Sequence, residues 1–158
     1  MKLTATTQTI DKGMQAFKRR LELLRLRKSY VKAGVLGSKN SRPGVMTNAQ
    51  LASIHEFGLG TAPARPFVRP PFVMNKATYL DILRAGYKAA MRSNDPGSFR
   101  RVLALVGQKM AADIRNYVTQ GPGVAPPLSP RTIAAKGSSR PLVDTGQMIR
   151  AVDYEVVE

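Results

Sequence analysis

The chain has no cysteine, no tryptophan, a single histidine and only 10 acidic residues in 158. Without cysteine there can be no disulfide, no thiol nucleophile and no zinc site built on thiolates. One histidine, His55, rules out a histidine-rich metal centre and leaves a Ser-His-Asp triad a single candidate member. His55 falls inside an expected helix, where a lone imidazole reads as a structural or surface group. The acids are scattered, and Asp153, Glu155 and Glu158 crowd the C-terminal end, so no carboxylate pair for acid–base chemistry stands out. No apolar run approaches the roughly 20 residues needed to span a bilayer, so no membrane partner is expected. The N-terminal MKLTATTQTIDKG lacks an apolar signal core, which places the expected site of synthesis and residence in a cytoplasm.

What the chain does have is positive charge: Lys+Arg 25 gives a formal net charge of +15. Much of it sits between Lys18 and Arg42, where Glu22 is the only acid. Lys18, Arg19, Arg20, Arg25, Arg27 and Lys28 form a candidate surface for DNA or for a partner. Such a field suits polyanions or acidic faces of another protein, or simply keeps a crowded assembly in solution. No zinc finger, helix-turn-helix or RNA-recognition motif accompanies it. Stacking platforms are also scarce, because Phe and Tyr fall mostly on apolar stripes.

With 43% apolar residues the chain reads as one folded domain over residues 13–158, preceded by a polar, Thr-rich flexible arm over residues 1–12. Met14, Phe17, Leu21 and Leu24 recur at helical spacing and predict an amphipathic helix to about Lys28, with Leu23 and Leu26 off the main stripe. Tyr30–Leu36 alternates as a half-buried strand. The turn-rich loop 37–46 follows, and then Thr47 with Gln50 forms a capping box for a short helix. That helix is expected to turn Leu51, Ile54 and Phe57 inward and to close at Gly58. Thr61–Phe72, punctuated by Pro63, Pro66, Pro70 and Pro71, should run extended along a surface or sheet edge. Helices are expected over about Val73–Met91 and Pro96–Thr119, the second capped by Asn94 or Asp95 and striped by Phe99, Leu103, Val106, Met110, Ile114 and Tyr117. Ser129 and Pro130 start a short helix ending at Gly137, Asp144 or Thr145 caps another over Gly146–Val152, and Asp153–Val157 ends as a strand.

Two motifs suggest catalysis and are set aside. Leu142-Val143-Asp144-Thr145-Gly146 resembles an aspartic-protease loop, but Gln147 stands where a small or hydroxyl residue normally follows. A capped turn is the expected reading. Gly34-Val35-Leu36-Gly37-Ser38-Lys39 lacks the spacing of a phosphate loop, which leaves a glycine turn. No catalytic, metal or cofactor residue is assigned.

Three segments in register carry a resemblance. They are Val31–Leu36, then Leu51–Gly58 with Pro63–Pro70, then Pro127–Ser138 with Pro141–Met148. Together they resemble the tail-completion or neck (head–tail joining) proteins of tailed bacteriophages. The resemblance implies a non-enzymatic virion protein at the head–tail junction, assembled in the host cytoplasm as a homo-oligomeric ring. A six-fold ring is favoured, and twelve-fold rings also occur in necks. Its neighbours would be neck, connector and tail-tube or terminator proteins, with non-specific contact to passing DNA. In such a ring Arg65, Pro66, Phe67, Arg69 and Pro70 would meet a neighbouring subunit or the tail tube. The expected fold class is α+β: a small, mostly antiparallel sheet from Tyr30–Leu36, Phe67–Val68 and Asp153–Val157, packed by three longer helices, with extended loops and arms for inter-subunit contacts. The alternative is a basic nucleic-acid-binding accessory protein.

Overall fold

The computed structural model describes residues 2–36, 46–120, 124–142 and 146–158, and only the backbone of 2–11. The order of elements is α1 (Lys2–Leu26), β1 (Tyr30–Val35), α2 (Asn48–Phe57), α3 (Arg69–Ser93), α4 (Pro96–Thr119), α5 (Pro130–Lys136), α6 (Gln147–Arg150) and β2 (Val152–Val157). The class is α+β, with three long helices over a small antiparallel sheet. Helix α4 is the hub, touching α1, α3 and both strands. Its position follows from its sequence: Asp95 accepts from the N–H groups of Gly97 and Ser98, and Pro96 occupies the first turn. Phe99, Leu103, Val106 and Ile114 are buried from its stripe, while Met110 and Tyr117 are half-buried. Asn94 instead ends α3 in the left-handed conformation, at φ 51°.

The sheet has two strands among the described residues, paired from Tyr30↔Val157 to Val35↔Val152. Phe67–Val68 is not a third strand. Phe67 is fully buried, but its N–H and that of Val68 donate to the Glu56 carboxylate and not to a ladder. Helix α3 also starts four residues earlier than its stripe predicts, because Pro70 and Pro71 fall in the first turn, where no intrahelical N–H is needed. Only the stretch before Arg69 runs extended.

The two shorter amphipathic readings require correction. In α1 it is Leu23 and Leu26 that dock on the body, whereas Met14, Phe17, Leu21 and Leu24 are 46–59% exposed. The helix also reaches back to Lys2, through the segment expected as an arm. In α2 the capping box of Thr47 and Gln50 forms as expected. Its buried face, however, is Asn48, Ala52 and Glu56, while Phe57 is 67% exposed. Ser129 caps α5, and Gly137 closes it at φ 69°. Helix α6 is shorter than expected and starts from Gly146 without a side-chain cap; Asp144 and Thr145 lie outside the described residues, as does loop 37–45.

Two clusters make the core. One joins Leu23, Leu26, Ala90, Phe99 and Leu103 between α1, α3 and α4. The other gathers Ala52, Phe67, Ala111, Ile114, Val124, Met148 and Val152, with Ala33, Val35, Leu51, Val68 and Leu142 packed against it.

Candidate assembly surfaces

The extended segment before α3 is clamped at both ends by charge. Helix α3 begins at Val68 with no side chain of its own to cap it. Its orphan N–H groups would cost free energy if left bare. Glu56, at the end of α2, supplies the missing acceptor. Its carboxylate takes N–H bonds from Phe67 at 2.8 Å, Val68 at 3.0 Å and Arg69 at 3.2 Å, and the Arg69 Nε at 2.8 Å. Burial alone would raise the pKa of Glu56. The bonds from Val68, Phe67 and both the side chain and backbone of Arg69 outweigh it and hold the group below its ordinary value. The Arg69 guanidinium also lies 5.0 Å from the centre of the Phe57 ring.

At the other end, Arg65 donates through Nε to the Pro126 carbonyl at 2.8 Å and through Nη2 to that of Pro127 at 3.2 Å. Its own N–H bonds to the His55 carbonyl. Arg65, Lys136 and His55 line a cleft of about 360 Å³ between α2 and the tract around α5 and α6. His55 is held below its ordinary pKa, first by burial and then by the charges of Arg65 and Lys136.

These contacts revise the expected interface. Phe67 is a core residue, so its side chain has no surface to offer a neighbour. Arg65 and Arg69 spend hydrogen bonds inside the chain, although the Arg69 side chain remains 60% exposed. Pro66 and Pro70 are half-buried. The large apolar side chains exposed beside this segment are Phe57 and Leu59, each 67% exposed. Helical spacing placed Phe57 inside. In the structure Phe57 is the last residue of α2 and its ring lies under the Arg69 guanidinium, which no spacing within the helix announces.

The six basic residues of the expected surface, Lys18, Arg19, Arg20, Arg25, Arg27 and Lys28, are all exposed on α1 and its C-terminal turn. None forms an ion pair among the described residues. Acids behave in the opposite way. Glu22, Glu56, Asp81, Asp95, Asp113, Glu155 and Glu158 each pair with a cation of the same chain. Asp153 accepts the Tyr154 N–H. Arg100 bridges two of these acids, holding Glu158 at 2.7 Å and Glu22 at 2.8 Å. Tyr79 donates to Asp113 at 2.7 Å, and its pKa is raised by burial and then by that carboxylate.

A larger groove of about 390 Å³ runs between β1, α3 and α4, over Val31, Phe72, Leu83 and Tyr87, with Arg27, Lys76 and Arg84 as its charged members. It carries no carboxylate or histidine. Among the described residues no three of His, Cys, Asp and Glu gather as a metal site, and no helix is long and apolar enough to cross a membrane. The arrangement suits recognition through apolar contact and positive charge. The chain matches no family model, no curated protein and no solved structure.

Proposed function

We propose that the chain is a structural virion protein of a tailed bacteriophage, a non-enzymatic subunit of a ring at the head–tail junction through which DNA passes. One observation carries this reading. The three segments that resemble tail-completion and neck proteins lie far apart in sequence yet pack into one core. The first contributes Ala33 and Val35, the second Leu51, Ala52, Phe67 and Val68, the third Leu142 and Met148. Arg65 of the second segment is also bonded to Pro127 of the third. The three pieces thus present themselves together, as a single unit of one subunit would.

In this role the Glu56 and Arg65 clamps fix the extended segment so that Phe57 and Leu59 face a neighbouring subunit. Two exposed large apolar groups beside a rigid backbone are what a subunit contact buries. A second reading, a nucleic-acid-binding accessory protein, is favoured by the exposed cations of α1. Native mass and light scattering, with duplex binding at low and moderate salt, separate the two. The ring reading expects a discrete oligomer that Phe57→Asp/Leu59→Asp reduces to folded monomer, with weak duplex affinity. A monomer whose duplex affinity falls steeply with salt would favour the second reading and sink the first.

A further inference from the structure

Helix α1 carries two apolar faces. Successive helical residues turn by about 100°, which sets Leu23 and Leu26 opposite the line of Met14, Phe17, Leu21 and Leu24. The first pair is buried against α3 and α4, so the second line is left facing solvent. Its spacing alternates three and four residues, the seam of a coiled coil. Lys18 and Arg25 flank it on one side, Arg20 on the other. The one acid of this stretch, Glu22, is held by Arg100.

We propose that this seam docks an amphipathic helix of a partner protein whose apolar ridge is flanked by Asp or Glu. This contact needs no ring: α1 alone makes it. A second copy of α1 fits poorly, because self-pairing would oppose Lys18, Arg20 and Arg25 to like charges. Nor do the described residues offer a free anionic surface, since each described acidic side chain already has a partner within the chain. A phosphate backbone would satisfy the cations but leave four large apolar side chains uncovered. A bilayer surface prefers a broad apolar face, whereas this one is a single file with charge on both flanks. An acidic helix with apolar residues at seam positions covers the stripe and neutralises the cations on both flanks together.

The test uses the full chain and four labelled probes, with binding read by fluorescence anisotropy or co-sedimentation. One is a designed peptide of about three heptads with Leu at the seam and Glu beside it. The others are its Lys counterpart, a mixed-sequence DNA duplex, and phosphatidylglycerol–phosphatidylcholine vesicles. The acidic peptide should bind tightest. Phe17→Asp/Leu21→Asp should weaken it by about tenfold or more, with an unchanged thermal melt because both positions are exposed. Lys18→Glu/Arg25→Glu should shift the preference toward the Lys peptide. Failure of the acidic peptide to bind, tighter binding of duplex or vesicles, or binding indifferent to Phe17→Asp/Leu21→Asp would each overturn the proposal.

Discussion

Glu56 sits 5% exposed at the end of α2 and satisfies the first turn of a helix that starts beyond it in the chain. Glu56→Ala would strand several donors and the Arg69 charge, at a cost of about 3 kcal/mol in equilibrium urea unfolding. Glu56→Gln keeps one acceptor oxygen and should cost less. The pH dependence has a definite sign. The folded pKa of Glu56 lies below its ordinary value, so between the two the unfolded chain binds more protons. Its contribution is therefore complete above the ordinary carboxylate value of 4.5 and is lost as pH falls through the lowered one. In Glu56→Gln the decline of stability on the acid side should be shallower, and an unchanged profile would show that the carboxylate is not the titrating group. Little in the sequence announced this role. A glutamate in a helix's last turn ordinarily reads as solvated; the available clue was negative, since Val68-Arg69-Pro70-Pro71 opens a helix without a capping side chain.

Among the elements, α4 was legible because it packs on α1, α3 and both strands, so nearly all of its apolar stripe is covered and periodicity coincides with burial. Helix α1 was legible as a helix but not in its orientation. Periodicity reports that an apolar face exists, while the choice between two such faces is made by the shape of α3 and α4. The same limit applies to α2, whose buried face is small and polar and sets the Glu56 carboxylate against the start of α3. Phe67 read as a strand residue because an isolated apolar pair flanked by prolines looks alike whether it pairs or merely plugs a core. Gly107 on α4 marks a close approach between helix and sheet, since a Cβ there would overlap the Tyr154 ring of β2. Gly107→Ala gains about 1 kcal/mol of helix propensity but overpacks at about 1–3 kcal/mol. The expected outcome is net destabilisation in chemical unfolding, diminished when Tyr154→Ala is added.

At the scale of the whole molecule, Arg100 ties α1, α4 and the C-terminal end together through Glu22 and Glu158. These groups are partly exposed, so the tie is screened by salt. Arg100→Ala should lower the melting temperature most at low ionic strength, with the deficit shrinking as salt is added. A deficit independent of salt would point instead to lost packing of its aliphatic stem.

The pairing of β1 with β2 has a kinetic side. Helices α3 and α4 are neighbours in the chain and can find each other across a short turn, whereas the paired Tyr30 and Val157 are separated by most of the sequence. Closing so long a loop costs entropy that the first local contacts do not repay. The two strands are therefore expected to lock late, as a clasp on an already formed α3–α4 pair, and pulse-labelled amide exchange should protect Tyr30–Val35 and Val152–Val157 only after those helices.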